Sequence, residues 1–345
     1  MNRLIDRMIQ DREVEEIGQT SSTGGRPARL VRFNASAHAV LAVELGGHRI
    51  SAAVTDLDAQ VLLRDACLVD SQVRGAGRDV FEAVAVLASG LIEKAATQRI
   101  EVRTVCVGVP GVVRHRRGLV EFAPAVQWFD FPLVPLLEER LGVAVRVEND
   151  VNLAAVAELR HGAARGRSDV LTVLLGTGVG AALILDGRLY RGAVGAAGEF
   201  GYTMMSRSSL DSPWPGFGDL ESRIGAAGVL RRHGYTSVTE PDAESLLARV
   251  RGGDPVARAV FDGLVDDLAL SIANASALLN PELVVLGGES GRAAAELMLP
   301  AIGRRLNGRI PFVPELVAAE LDDAALIGAA EVAIDASAGG ATLLE

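Results

Sequence analysis

Two patterns of apolar residues alternate along most of the chain and together predict an α/β fold. Short apolar runs rich in Val, Ile and Leu, such as 102–109 and 283–286, are typical of buried strands. Longer stretches in which apolar residues recur at helical spacing, such as 79–97 and 255–279, are typical of amphipathic helices. Strands that alternate with helices predict parallel or mixed sheets joined by crossover connections.

The first 35 residues follow a different order. A helical pattern at 3–10 precedes a short strand at 13–17, a turn-rich loop at 19–27 and a second strand at 29–33. Helix, strand, glycine-rich loop and strand form the second half of a winged helix. The helices that precede this half in a winged helix are missing, and we expect them to be encoded upstream of Met1. If Met1 is the true start, we expect DNA binding to be weak or absent.

Three arginines of this hairpin, Arg26, Arg29 and Arg32, would make a wing locally basic and able to contact phosphates or enter a minor groove. The alternative is an ordinary surface hairpin with solvated arginines. The whole chain has 34 basic and 44 acidic residues, a formal net charge of −10, so it has no global field that attracts nucleic acid. Any DNA contact must therefore come from a local patch such as this one.

A carboxylate stands where a predicted strand ends and a predicted helix begins. The apolar run 143–147 leads into Glu148-Asn149-Asp150, and a helical pattern at 153–164 follows. In open α/β sheets this position faces the ligand crevice. Asp150 could there take a proton from a substrate hydroxyl, as a catalytic aspartate does in kinases. The alternative is that Asn149 or Asp150 caps the following helix.

Two glycine-rich turns, each between two predicted strands, are candidate phosphate sites. The first contains Gly46 and Gly47, after the strand at 40–43. The second reads Gly-Thr-Gly-Val-Gly at 176–180 and is the stronger signal, because glycines let backbone N–H groups approach a polyanion. Taken alone, the first turn is more often an ordinary hairpin. The second is not a Walker loop, since no Gly-Lys-Ser/Thr follows it.

Length and composition restrict the remaining possibilities. With 345 residues, of which 49% are hydrophobic, the chain has enough material for two lobes. Cys67 and Cys106 lie in apolar runs and read as buried free thiols of a reducing compartment, and with the histidines they form no metal-ligand spacing. No apolar run is long enough to span a bilayer, and the charged start does not resemble a signal peptide. We therefore expect a cytoplasmic protein without a membrane partner.

Six motifs, in this order, resemble those of the ROK family of repressors, open reading frames and sugar kinases. They read ELGG at 44–47, GVPG at 108–111, ENDVN at 148–152, GTGVG at 176–180, GAVGAAGEFG at 192–201 and PELVVLGG at 281–288. The resemblance covers nearly the whole chain and implies an α/β, two-lobed, actin-like (ribonuclease-H-like) ATPase fold. It implies a partial winged helix at 1–35, a first lobe at 36–150 completed by 321–338, and a second lobe at 151–320 with the sugar pocket and dimerisation surface.

The resemblance also implies roles for single residues. Asp150 would be the base that accepts a proton from a sugar hydroxyl. Hydrogen bonds to the sugar would come from Asn149, Asp150, Glu199, Tyr202 and Glu221. Contacts to phosphates or nucleotide would come from Gly46, Gly47, Gly176, Thr177, Gly178, Gly180, Gly287 and Gly288.

Several positions depart from the pattern of the family's active kinases. Glu44 stands where they have an aspartate that is needed near Mg²⁺, and His48 replaces a small hydroxyl donor. The extra methylene of Glu44 would shift the carboxylate. Glu289 replaces the third glycine of the adenosine motif and brings an anion close to the expected nucleotide.

The zinc motif of the family is changed as well. Its three cysteine positions hold Ser212, Trp214 and Asp219, and its histidine position holds Tyr202. A tetrahedral zinc site requires thiolate or imidazole ligands. We therefore expect that no zinc is bound and that packing holds this loop instead.

Three functions remain open. The first is a repressor-type regulator with a sugar or sugar phosphate as effector, operator DNA as partner if the full winged helix is present, and no required cofactor. The second is a hexose kinase that uses Mg-ATP with Asp150 as base. The third is a sugar-binding remnant with neither activity. The wing and the changed phosphate and metal motifs favour the regulator over an enzyme, and the resemblance implies a homodimer or homotetramer.

Overall fold

The computed structural model describes residues 2–10, 13–19, 29–69, 76–211, 217–225 and 243–338. Residues 20–27 of the predicted loop at 19–27, which include Arg26, lie outside these ranges, as do Ser212 and Trp214. Within the described residues, a helix and a two-stranded hairpin precede two lobes, each built on a five-stranded sheet.

The predicted N-terminal helix and hairpin are present. Helix α1 (Asn2–Gln10) is followed by β1 (Val14–Gln19) and β2 (Arg29–Phe33), which pair in antiparallel fashion. Ile17 and Phe33 are more than half exposed, at 55% and 52%. The hairpin therefore adds little to either hydrophobic core.

The two described arginines of the hairpin are bound to carboxylates of the same segment. Arg29 donates to Asp6 (2.6 Å) and to Glu16 (3.1 Å), and Arg32 forms an ion pair with Glu15. These pairs are largely exposed and hence weak, so a phosphate could replace the carboxylates. Whether Arg29 and Arg32 contact DNA stays a prediction.

The first lobe contains a meander, a helix–strand unit, a small insertion and a second helix–strand unit. Its elements are β3 (Ala39–Leu45), β4 (Arg49–Thr55), β5 (Val61–Leu68), α2 (Ala76–Thr97), β6 (Val102–Val109), β7 (Val112–Arg114), β8 (Leu119–Ala123), β9 (Trp128–Phe131), α3 (Leu133–Leu141) and β10 (Ala144–Asn149). The main sheet has the order β10-β6-β3-β4-β5, antiparallel from β3 to β5 and parallel from β3 to β10. Helices α2 and α3 bury their apolar faces on this sheet.

Strands β7, β8 and β9 form a separate sheet that the sequence analysis did not predict. None is longer than five residues, so no alternating pattern could develop. Trp128 anchors the sheet, because its buried indole donates to the carbonyl of Gly77 (2.7 Å) and its ring stacks on Phe131. The insertion is thus fastened to α2 by tertiary contacts.

The second lobe repeats the topology of the first. Its elements, with the helices on either side, are α4 (Asp150–His161), β11 (Val170–Leu175), β12 (Val179–Leu185), β13 (Arg188–Tyr190), α5 (Asp219–Ile224), α6 (Ala243–Arg251), α7 (Pro255–Leu279), β14 (Leu283–Gly287), α8 (Glu289–Leu306), β15 (Glu315–Ala318) and α9 (Ala324–Ser337). The order β15-β14-β11-β12-β13 matches β10-β6-β3-β4-β5. The strands follow one another along the chain in the same spatial order, and corresponding pairs are parallel or antiparallel in the same way. This duplication is the two-lobed actin-like fold that the resemblance implied.

Helix α4 lies between the two sheets and is apolar on both sides. Leu153 and Ala154 pack in a cluster with the first sheet, while Ala155 and Val156 pack in a cluster with the second. Helix α9 packs against α4 in the same cluster as Leu153 and Ala154, and it also contacts β3 and β6. The two helices approach so closely that Gly328 of α9 lies against the backbone of Leu153.

Glu158 fastens the two points at which the chain passes between the lobes. Its carboxylate, 1% exposed, accepts the N–H groups of Ala163 (2.7 Å), Leu321 (2.9 Å) and Glu320 (3.3 Å). Residues 320 and 321 belong to the connection from β15 to α9. These donors compensate the buried charge.

Among the described residues, no helix is long and apolar enough to cross a bilayer.

Candidate functional site

The structure separates the two roles that the sequence left open for Asn149 and Asp150. Asn149 is the cap of α4, because its Oδ1 accepts the N–H of Asn152 (3.0 Å). Its Nδ2 donates to the carbonyl of Gly111 (3.0 Å). Asp150 is the first helical residue, and its Oδ1 accepts the N–H of Val151 (2.9 Å). The Asp150 carboxyl is therefore not consumed by capping and lies at the carboxyl end of the first sheet.

Several carboxyl groups lie near Asp150. Burial raises the pKa of Asp150 to about 7, and the charges of Glu44 and Glu199 add to the rise, while the N–H of Val151 opposes it. Burial also raises the pKa of Glu44, with Asp323 as a further cause. A carboxyl group with a pKa near neutrality is suited to exchange protons with a hydroxyl at physiological pH.

The two glycine-rich hairpins face each other across the cleft. In the first, the N–H of Gly46 donates to Arg49 (2.8 Å), and in the second the N–H of Gly176 donates to Gly178 (3.0 Å). A Cβ on Gly47 would lie 4.0 Å from Oγ1 of Thr177, and a Cβ on Gly176 would meet no atom within 4 Å. The two turns thus approach each other at Gly47 and Thr177, and Gly176 faces open space.

The other predicted phosphate glycines are needed for packing. A Cβ on Gly180 would lie 2.6 Å from Val151, and one on Gly287 would lie 2.6 Å from Leu174. Gly288 has a φ of 75° and lies against the backbone of Leu175. Tight packing explains these three glycines without a ligand, and their nucleotide contacts stay a prediction.

Glu289 is the first residue of α8, directly after Gly288. A carboxylate at a helix N-terminus is stabilised by the helix dipole. It also places negative charge at the helix end where a nucleotide phosphate would otherwise gain from that dipole.

The loop at 191–199 extends from the second lobe onto the first and carries Glu199. Gly195 has a φ of 83° and lies against the carbonyl of Val113 in β7, and Gly198 has a φ of 91° and lies against the carbonyl of Ala181. A side chain at either position would be both strained and in collision. The glycines of this motif therefore set the path that delivers Glu199 to the cleft.

Glu199, Tyr202 and Glu221 gather at the second-lobe wall of the cleft. Burial raises the pKa of all three side chains. The negative charge of Glu221 raises the pKa of Glu199 further, and the charges of both glutamates raise that of Tyr202 further. Glu221 Oε1 accepts the N–H of Val179 (3.0 Å) and lies beside Gly178. Carboxylates and a phenol so arranged can bind neighbouring hydroxyl groups. The structure thus brings together Asp150 and the predicted sugar-binding carboxylates.

A buried ion pair beside Asp150 was missed by the sequence analysis. Glu148 of β10 accepts from Arg191 Nε (2.6 Å), and both side chains are at most 8% exposed. The other Glu148 oxygen accepts the N–H of Asn149 (2.9 Å) and Nδ2 of Asn152 (2.9 Å). The pair links the loop that carries Glu199 to the strand that carries Asp150. Two charged residues 43 positions apart give no local signal, although an acid at the end of a buried strand is a hint.

Asp219, which the resemblance aligns with a zinc-ligating cysteine, is 1% exposed. Its Oδ1 accepts from Arg223 Nε (2.7 Å), and its Oδ2 accepts from the N–H of Met205 (2.7 Å) and from the Ser209 hydroxyl. In the described part of the chain, no cluster of three or more His, Cys, Asp or Glu side chains has the arrangement of a metal site. The donor set at Asp219 does not fit zinc.

The chain is similar to known proteins over most of its length. The sequence profile of the ROK family matches residues 40–336. The chain is 25% identical over 322 residues to the xylose repressor of Caldicellulosiruptor bescii, which covers 90% of this chain and 80% of the repressor. It is 30% identical over 312 residues to the glucokinase of Thermotoga maritima, which covers 85% of this chain and 96% of the kinase.

The fold resembles that of a solved regulator. The crystal structure of a ROK family transcriptional regulator, a homologue of the Escherichia coli MLC protein, superposes with a TM-score of 0.81 at 23% identity. The superposition covers 97% of this chain and 87% of the regulator. The relatives thus include both repressors and kinases.

Proposed function

Because the chain belongs to the ROK family, we propose that it is a transcriptional regulator that responds to a sugar. A sugar or sugar phosphate binds in the cleft near Asp150, and the N-terminal helix and hairpin belong to a head that contacts operator DNA. The regulator acts in the cytoplasm as a homodimer or homotetramer and requires no cofactor. Sugar binding changes the closure of the lobes and thereby the spacing of two heads.

The segment ahead of the ROK profile is the observation that carries this proposal. Helix α1 and strands β1 and β2 occupy residues 2–33, whereas the profile begins at residue 40. The glucokinase alignment covers 85% of the chain, and the superposition on the regulator covers 97%. A helix with a following hairpin has the order of the DNA-contacting half of a winged helix.

The cleft supports a second candidate, an ATP-dependent hexose kinase. The Asp150 carboxyl, whose pKa is raised by burial to about 7, can accept a proton from a sugar hydroxyl, and Glu199 and Glu221 can orient that sugar. An added Cβ at Gly176 would meet no atom within 4 Å, so this turn leaves room beside it for a phosphate group. Mg-ATP bound there would supply the phosphoryl group. Against this reading stand Glu44 in place of aspartate and Glu289 at the start of α8.

One experiment on the full chain separates the two candidates. The purified protein is mixed with a panel of hexoses, pentoses, amino sugars and their phosphates. Two quantities are measured for each sugar: the unfolding temperature of the protein and the release of ADP from Mg-ATP. For a regulator we expect one sugar class to raise the unfolding temperature without ADP release above background. Sugar-dependent ADP release that is lost in Asp150→Asn would make the kinase the function.

DNA binding is tested on the same preparation by selection from random duplex DNA, with and without the stabilising sugar. For a regulator we expect an enriched motif whose affinity changes with the sugar. The double variant Arg29→Ala/Arg32→Ala is expected to lower affinity about tenfold, because in the proposed complex each arginine binds a phosphate. The control Arg103→Ala removes an exposed arginine of the first lobe and should leave affinity unchanged. Failure to enrich any motif would contradict the proposal.

A further inference from the structure

Helix α5 brings Glu221 to the cleft although it has fewer than two turns. So short a helix is not stable by itself and must be held by its surroundings. Gly218, before the helix, lies directly on the backbone of Gly201 and Tyr202, and the N–H of Leu220 donates to Thr203 (3.2 Å). The helix is therefore fastened to the segment that contains Tyr202.

The Asp219 carboxylate is the centre of this attachment. It accepts hydrogen bonds from two donors in the segment before α5, the Met205 N–H and the Ser209 hydroxyl, and from the Arg223 guanidinium within α5. Although burial opposes ionisation, these hydrogen bonds lower the pKa of Asp219, so the side chain is charged at neutral pH. Charge-assisted hydrogen bonds of this kind are stronger than neutral ones.

The same position is incompatible with zinc. Both oxygens of Asp219 are occupied by N–H or O–H donors, and the Arg223 guanidinium lies 2.7 Å away, where a second cation would be repelled. The two cysteines of the chain, Cys67 and Cys106, belong to strands β5 and β6 of the first lobe. No thiolate can therefore reach this loop.

We propose that Asp219 takes over the structural role of the family's zinc and is a positioning residue for the effector site. By joining residues 205–209 to α5, Asp219 holds Glu221 beside Gly178 and Val179 and holds Tyr202 at the same wall. The inference rests on the proposed sugar site. In this arrangement an anion bound to an arginine stands in place of a cation bound to thiolates.

The first test compares wild type with Asp219→Asn, which keeps the shape but loses the charge. We expect the dissociation constant for the stabilising sugar to rise about tenfold at a temperature where both proteins are folded. Amide hydrogen exchange of residues 203–211 should become faster, while exchange in α2 stays unchanged. The matched control Asp211→Asn removes an exposed carboxylate from the same segment and should change neither quantity.

Should Asp219→Asn fail to fold, Ser209→Ala removes one donor to the carboxylate and is expected to act in the same direction with a smaller effect.

Zinc content and chelation provide a second measurement. Wild type should contain far less than one zinc per chain, and exchange of residues 203–211 should not respond to a chelator. A chelator that accelerates exchange there, or an Asp219→Asn variant that matches wild type in exchange, would overturn the inference.

The two proposals can fail separately. If wild type binds no sugar of the panel, the proposed sugar response fails, while hydrogen exchange and zinc content still decide whether Asp219 organises the loop. If the sugar binds equally well to wild type and Asp219→Asn, the sugar site stands and the positioning role of Asp219 is rejected.

Discussion

The carboxyl group of Asp150 holds its proton more tightly in the folded chain than in an unfolded one. Its pKa is raised from an ordinary 3.8 to about 7, mainly by burial. Between these values the folded state binds the proton and the unfolded state does not, so stability falls as pH rises through this window. The penalty is complete above about pH 7 and absent below about pH 4.

We predict that Asp150→Asn stabilises the protein at pH 8. The neutral amide avoids the cost of a buried charge, which the difference between 3.8 and about 7 limits to about 4 kcal/mol. Denaturant unfolding should show a gain of about 2–4 kcal/mol at pH 8 and none near pH 4. Asp211→Asn, at an exposed aspartate, is the control for the change in net charge. Equal stability of wild type and Asp150→Asn at both pH values would contradict the prediction.

The crossing of α4 and α9 is the element on which the arrangement of the lobes depends. Arg160 and His161 of α4 bind Glu331 of α9, and Arg160 also binds Asp335. At the other end of the crossing, Gly328 permits the close approach to Leu153. Because both helices also cover the first sheet, neither can move away without opening a core.

Gly328→Ala is therefore predicted to destabilise the protein by about 1–3 kcal/mol, because its Cβ would collide with the carbonyl of Leu153, which is fixed in a helix. The matched control is Gly90→Ala in α2, where an added Cβ meets no atom within 4 Å. This control should stabilise by about 0.5–1 kcal/mol, since alanine favours a helix. Denaturation midpoints measure both, and a Gly328→Ala variant as stable as Gly90→Ala would refute the close crossing.

At the scale of the whole molecule, the Glu148–Arg191 pair joins the lobes next to the site. Arg191 follows β13 of the second sheet, and Glu148 belongs to β10 of the first. The pair is buried, so removing one charge deprives the other of its ion-pair partner in the interior. The loop that carries Glu199 depends on the same contact for its position over the first lobe.

We expect Glu148→Gln and Arg191→Met each to destabilise the folded chain by about 3–5 kcal/mol. The double variant should lose clearly less than the sum of the two single losses, because neither charge then remains in the interior. Glu101→Gln breaks the exposed pair between Glu101 and Arg103 and should cost less than about 0.5 kcal/mol. Additive losses in denaturant unfolding would mean that the two side chains do not interact.

The sequence by itself determined the elements and their order. Apolar runs and helical spacing located most strands and helices of both lobes, because burial of one face leaves a periodic trace. The family motifs identified the two-lobed fold, and the strand–helix junction at Asp150 indicated the crevice. The short strands β7 to β9 were missed, because they are held by distant contacts such as Trp128 with Gly77 and leave no periodic trace.

Only the tertiary structure decided which residue has which role at the site. It assigned the cap to Asn149 and left Asp150 in the cleft, since that choice depends on side-chain geometry within one turn. It also paired Glu148 with Arg191 and surrounded Asp219 with donors. Such contacts join residues far apart in the sequence, and the energy of a buried charge depends on its neighbours in space.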